Sequence, residues 1–141
     1  KNYYPDGKLE RSFKNYETYK SKEILNYLSG EKKRVSYYLN NFAIEKIYYN
    51  LNGKIEYHEK FNEDLVSLEK KIKYYENGNK KEEQILTNEK KKTYSFSEYF
   101  IDGTVKTKGQ LKFDNELKNY NKFGKWIHYK NSGEIEKKNQ Y

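Results

Sequence analysis

The chain has no cysteine, no methionine, one proline and one tryptophan, and its basic residues include only two arginines, Arg11 and Arg34. Without cysteine there is no disulfide framework, no thiolate nucleophile and no cysteine-based zinc site. No apolar run approaches the roughly 20 residues that a helix needs to cross a bilayer. The scarcity of arginine removes the planar fork that best grips phosphate. His58 and His128 are the only histidines. A general base or a metal site would have to be built around one of them, and neither has a convincing set of partners in its surroundings. There is no phosphate-binding glycine loop, dinucleotide turn, calcium loop or nucleophile elbow. No cofactor and no metal is expected.

What the chain has in abundance is tyrosine and lysine. Of 141 residues 17 are Tyr, aromatics make up 18% and the formal net charge is +8. The mean hydropathy of −1.32 leans towards disorder, but an aromatic content this high argues for folding. Tyrosine buries ring area while its hydroxyl stays wet, which suits a thin structure with a modest interior. The isoelectric point near 9.3 admits nucleic acid, anionic lipid or an acidic protein as partners. The joint abundance of Lys, Asn, Tyr and Ile is also what an AT-rich genome produces, so charge alone is weak support for any of them. The runs Lys32-Lys33-Arg34, Lys70-Lys71, Lys80-Lys81 and Lys90-Lys91-Lys92 read as solvated faces. The adjacent acids Glu63-Asp64 and Glu82-Glu83 point to opposite sides of a strand and do not form a carboxylate dyad.

The organising pattern is a recurring corner, clearest at Tyr74-Tyr75-Glu76-Asn77-Gly78. Its glycines are Gly7, Gly30, Gly53, Gly78, Gly103 and Gly133, at spacings of 23, 23, 25, 25 and 30 residues. Each follows Asp, Asn or Ser: Asp6, Ser29, Asn52, Asn77, Asp102 and Ser132. Tyr stands four places before the glycine at Tyr3, Tyr49, Tyr74, Tyr99 and Tyr129, with Asn26 in the second copy. Asn-Gly between strand formers signals a hairpin with a type I′ turn, whose two central residues both need φ > 0. A near-constant period of this length marks a repeat protein.

After each corner comes a strand. Leu9, Ile55, Val105 and Ile135 lie two places after the glycine, whereas Lys32 and Lys80 fill that place in the second and fourth copies. Val105 to Phe113 alternates strictly, with Gly109 on the apolar side as a bulge or a close approach of another backbone. Return turns are expected at Asn40-Asn41 and at Thr87–Lys92, and Asp114–Lys122 reads as a polar insertion. Asn62 to Tyr75 carries both helical spacing (Leu65, Leu68, Ile72) and a strand ending at Tyr75; the repeat period favours loop and then strand. The expected fold is all-β: residues 1–141 form a single array of about six antiparallel β-hairpin repeats in an elongated, twisted, largely single-layer meander sheet.

The repeated Tyr-Tyr-x-Asn-Gly unit, with Gly124-Lys125-Trp126-Ile127-His128-Tyr129, resembles the bacterial variant of the MORN repeat, and within it the antitoxin component of the YwqJ–YwqK module. The resemblance implies a non-catalytic binding protein, a scaffold or an antitoxin- or immunity-type partner, and not an enzyme. The eukaryotic MORN repeat is associated with membrane and phosphoinositide contact. A protein partner is therefore expected, nucleic acid is not, and the alternative is a Lys/Tyr-rich surface for anionic membrane, glycan or nucleic acid. The binding candidates are Tyr74, Tyr75, Tyr99, Phe100, Trp126 and Tyr129, whose rings offer large contact area at low entropic cost. They serve equally as the structural signature of the hairpin. The chain has no initiator methionine and begins almost inside a strand. More sequence is expected upstream: a removed signal segment would make the protein secreted, periplasmic or surface-associated, and the alternative is cytoplasmic.

Overall fold

The computed structural model describes residues 1–17, 20–62 and 67–141. Among them lie β1 (Asn2–Tyr3), β2 (Leu9–Glu17), β3 (Lys20–Asn26), β4 (Lys32–Leu39), β5 (Phe42–Tyr49) and β6 (Ile55–Phe61), followed by β7 (Leu68–Tyr74), β8 (Lys80–Asn88), β9 (Thr93–Tyr99), β10 (Val105–Asp114), β11 (Asn119–Tyr129) and β12 (Ile135–Gln140). They form one twelve-stranded sheet in sequence order, each strand hydrogen-bonded to its chain neighbours and antiparallel to them. The fold is all-β, an open meander of hairpins.

The six glycine corners share one geometry. In the first, the Gly7 N–H donates to Tyr4 O at 2.9 Å and the Tyr4 N–H to Lys8 O at 2.9 Å. The same two bonds recur at Tyr27–Glu31, Asn50–Lys54, Tyr75–Asn79, Phe100–Thr104 and Lys130–Glu134. All six glycines have positive φ, from 73° to 106°, while the residue before each does not. This excludes the expected type I′ turn. The corner is a type I turn followed by a left-handed residue, the three-residue hairpin loop with a glycine bulge. Only the glycine place demands φ > 0. The preceding Asp or Asn contributes its side chain instead. Asp6, Asn77 and Asp102 each accept the backbone N–H two places on, at 3.1, 3.0 and 2.9 Å. A type I′ turn does occur, but on the opposite edge. Asn40 and Asn41 have φ of 50° and 67° and close β4 onto β5, with Leu39 opposite Phe42.

Successive corners are also tied to one another. The Tyr4 hydroxyl donates to Asn26 O at 2.7 Å, Tyr27 to Tyr49 O at 2.8 Å and Tyr75 to Tyr99 O at 2.8 Å. Each donor lies three places before its glycine and each acceptor four places before the next. Asn50 and Phe100 occupy the donor place where the tie is missing. There Lys54 Nζ reaches Asn77 O at 3.2 Å, and Thr104 Oγ1 donates to Asn131 Oδ1 at 2.9 Å.

Two other sequence expectations are corrected. Asp114–Lys122, expected as a polar insertion, is largely strand: β10 pairs β11 through Phe113↔Tyr120, Lys112↔Asn121 and Leu111↔Lys122, so the extra residues lengthen the hairpin. Thr87 and Asn88 belong to β8, which leaves Glu89–Lys92 as the turn. The stretch before Tyr75 is strand over Leu68–Tyr74, whereas Leu65 lies outside the described residues.

The interior of this single layer changes sides along its length. Register places Ile24, Val35, Ile47, His58 and Ile72 across from one another on one face. Val35 and Ile72 are buried there. Further on, the buried cluster is Leu68, Tyr94, Leu111 and Trp126, on the other face. Leu68 joins it because two residues of β7 advance against one of β6 at Phe61↔Leu68, which turns its side chain over. Trp126 is 1% exposed. Its ring lies over Gly109, where a Cβ would come within 2.3 Å of the indole. The close approach at Gly109 is therefore made by a side chain, not a backbone. The bulge sits opposite, at Gly124 with φ 67°, where the register jumps between Lys108↔Ile127 and Gln110↔Phe123.

The tyrosine ties make a testable prediction. Tyr27→Phe removes one hydroxyl bond and lowers unfolding free energy by about 0.5–1.5 kcal/mol. Phe100→Tyr, which supplies the missing donor opposite the Tyr129 carbonyl, raises it by up to about 1 kcal/mol. Urea unfolding midpoints measure both, and an unchanged midpoint for Tyr27→Phe would refute the tie.

Candidate functional site

The six aromatic candidates fall into distinct environments. Tyr74, Tyr75, Tyr99 and Phe100 lead into the fourth and fifth glycine corners, neighbours on one long edge of the sheet, and all are half-buried. Tyr75 is engaged by its bond to Tyr99 O, with the Lys81 ammonium 5.7 Å from its ring. The Tyr99 hydroxyl donates to Glu83 at 3.0 Å, and Lys80 bonds the same carboxylate. Tyr129, which leads into the sixth corner, lies under Lys108 at 5.4 Å. Trp126 is enclosed by Phe96, Tyr141 and Lys122, whose ammonium stands 4.4 Å from the ring centre. Its face is spent inside the fold, and its Nε1–H donates to Gln110 O at 3.2 Å.

The ionisable candidates are similarly engaged. His58, which its flanking residues suggest is solvated, is not. Its Nε2 is 2.6 Å from Glu45 Oε1, and its side chain is only 12% exposed. His128 meets Thr107 Oγ1 at 3.1 Å and Asn139 Nδ2 at 3.5 Å, while Glu134 pairs with Lys130. Glu82 and Glu83 diverge, the first to Lys73 and the second to Lys80. Glu63-Asp64 lies outside the described residues. No group of three or more His, Asp or Glu able to hold a metal ion is found among the described residues.

Sequence reading missed the strongest polar centre. Glu23 is buried, and both arginines of the chain converge on it. Arg34 Nη2 lies 2.7 Å from Oε2 and Arg11 Nε 3.2 Å from Oε1, and the Tyr38 hydroxyl donates at 3.2 Å. Both guanidiniums are therefore engaged by one carboxylate within the fold. The only sequence signal was the rarity of arginine itself.

Among the described residues, several lysines beyond the middle of β3 are held in ion pairs: Lys46–Glu59, Lys60–Glu69, Lys73–Glu82, Lys80–Glu83, Lys106–Glu98 and Lys130–Glu134. The region around the β8–β9 and β10–β11 turns differs. Two adjoining hollows of about 400 and 460 Å³ share Lys112, Phe113, Asn115 and Phe123; the first adds Lys90, Lys91 and Lys92, the second Asp114 and Glu116. A third, about 310 Å³, adjoins along β10 and takes in Lys108, Gln110 and Lys125, with Ser95 and Ser97 from β9. Lys108, Gln110 and Lys112 alternate onto one face, opposite the Trp126 cluster, with Phe123 across from Gln110. Together these form a shallow, lysine-lined trough.

No protein-family model matches the chain, and no curated protein matches it. Among solved structures, a crystal structure of a GtfA/B complex bound to UDP and GlcNAc aligns over 92% of this chain and 24% of its own, at 10% identity and a TM-score of 0.36. A likeness at that score carries no functional argument. No described helix is long and apolar enough to cross a membrane.

Burial holds the hydroxyls of Tyr49, Tyr57, Tyr99 and Tyr120 above the usual tyrosine range. The neighbouring carboxylates Glu59 and Glu83 add to this at Tyr57 and Tyr99. These groups ionise near pH ~10 when unfolded, so their contribution to stability is present below that pH and is lost as pH rises through the higher folded values. Ionisation of these four tyrosines should therefore come above pH ~10 and together with loss of the β-sheet signal. Ionisation of all four near pH ~10 with the sheet intact would contradict this.

Proposed function

We propose that this chain is a non-enzymatic, MORN-like hairpin-repeat module that binds another protein, as a scaffold or as an antitoxin- or immunity-type partner. The observation that carries the reading is the row of corners on one edge of the sheet. Leu28, Leu51 and Ile101 occupy the same place, two before the glycine, and are 56%, 65% and 63% exposed. A type I turn asks nothing apolar of that position, and Pro5, Glu76 and Asn131 fill it elsewhere. Corners two strands apart repeat at about 10 Å, so Leu28 and Leu51 form adjacent apolar tips held in register by the tie from Tyr27. Half-buried Tyr74, Tyr99 and Phe100 flank the later part of the same edge.

The alternative, a surface for anionic membrane, glycan or nucleic acid, is supported by the lysine-lined trough along β10. The engagement of both arginines by Glu23 weakens it for phosphate-bearing ligands. Affinity capture with the full chain tests the main reading. A specific protein partner should be recovered, and its binding should weaken on replacing Leu28, Leu51 and Ile101 by serine, with part of the affinity surviving high salt. Recovery of no partner, or binding that the serine variant leaves intact and that collapses steeply as salt rises, would sink it in favour of charge-driven binding.

A further inference from the structure

We propose that the trough along β10 is a docking site for an acidic segment of the partner protein. This inference rests on the protein-binding reading above and names the chemistry that the partner presents.

Three observations support it. The first is charge that the fold leaves unbalanced. Lys90, Lys91 and Lys112 are exposed. Among the described residues the ion pairs of the sheet involve none of them. Of the nearby carboxylates, Glu89 accepts from Asn62 at 2.6 Å and Asp114 accepts the backbone N–H groups of Glu116 and Leu117 at 2.9 and 3.0 Å, while Glu116 stands at the β10–β11 turn end of the second hollow.

The second is shape. Lys108 and Lys112 lie on one face of one strand, four residues and about 13 Å apart. A segment of about four extended residues spans that distance. Small side chains, Ser95 and Ser97, line the trough where it adjoins β9. Lys92 braces its mouth, with Nζ on Asn115 Oδ1 at 2.8 Å and its backbone O accepting the Phe113 N–H at 2.9 Å. Two separate turns are thereby joined at the mouth.

The third is apolar character beside the charge. Phe123 stands on the face opposite the buried cluster, at the junction of two hollows. It offers a partial ring surface to an apolar residue placed next to an acidic one.

The same observations favour a carboxylate-bearing peptide over a nucleic-acid strand. A continuous phosphate backbone leaving the trough past the β10–β11 turn would meet Asp114 and Glu116. Sequential base stacking needs a run of open aromatic faces, and Phe113 is half-buried against the cluster. A short segment with alternating acidic and apolar side chains places its carboxylates at the lysines and ends before the acidic turn.

The test measures fluorescence anisotropy of the full chain with a labelled synthetic peptide of alternating Glu and Phe. The same peptide with Gln in place of Glu and a labelled oligo-dT serve as comparisons. The Glu peptide should bind, the Gln peptide should not, and Lys91→Glu/Lys112→Glu should weaken binding by about tenfold or more. Lys137→Glu/Lys138→Glu changes the net charge equally on exposed β12 and should change affinity less than about twofold. Equal loss in both variants would reduce the effect to net charge and overturn the site. So would tighter binding of oligo-dT than of the Glu peptide, or no binding of the Glu peptide. Repeating partner capture with Lys91→Glu/Lys112→Glu separates the two claims. A partner still held at full strength leaves the protein-binding reading standing and removes the trough from it. Failure of the unaltered chain to capture any protein removes that reading, whatever the peptide does.

Discussion

Each glycine-cornered hairpin depends on one backbone constraint, a left-handed residue at the end of a type I turn. At that place an L side chain clashes with the neighbouring carbonyl, whereas glycine does not. Fixing it there lets the two corner hydrogen bonds form together, and the next strand then returns antiparallel with a defined register. Six such corners lie along one edge of the sheet. The hydroxyl and amide ties between them set how each hairpin meets the next, so local turn chemistry carries information across the whole array.

A single layer of strands cannot hide apolar residues between two sheets. This one compensates in three ways. Its apolar residues occupy one face through Ile24, Val35, Ile47 and Ile72 and the other face through Tyr94, Leu111 and Trp126, so neither face is apolar throughout. Aromatic rings cover their neighbours, with the indole lying flat over Gly109 as the extreme case. Long polar side chains do the rest: lysine ammoniums stand over Tyr37, Tyr75, Tyr129 and Trp126, and their stems cover ring surface that would otherwise be wet. A hydropathy typical of disordered chains is thereby compatible with a sheet.

Much of the architecture was legible because glycine spacing and strand alternation are local signals. The corners, the order of the strands and the all-β class follow from them. The turn type did not, because Asn-Gly serves both type I′ loops and glycine-bulge loops, and only the count of bonded residues separates the two. The real type I′ turn, Asn40-Asn41, has no glycine and was legible only as a turn. Long-range polar partners were illegible for a different reason. Glu23 meets Arg11 and Arg34 across strands whose register is set by turns elsewhere, and His58 meets Glu45 in the same way. Of the candidate site, the aromatic residues near the corners could be named from the repeat. The seating of Trp126 over Gly109 depends on the register shift at Gly124, and the lysine trough depends on the pairing of β10 with β11.

The proposed binding roles share this origin. The apolar tips at Leu28, Leu51 and Ile101 and the trough along β10 are spaced by strand pairing, so both rest on the corners holding their geometry. The most direct test is a semisynthetic comparison at one corner. Gly53 has φ 73° and nothing within 4 Å of the position a Cβ would take, so backbone strain is isolated from crowding. With L-alanine at position 53, unfolding free energy should fall by about 1–2 kcal/mol, whereas D-alanine, which favours positive φ, should leave it unchanged or raise it. Equal stability of the two forms would show that the left-handed corner is not what holds the array in register.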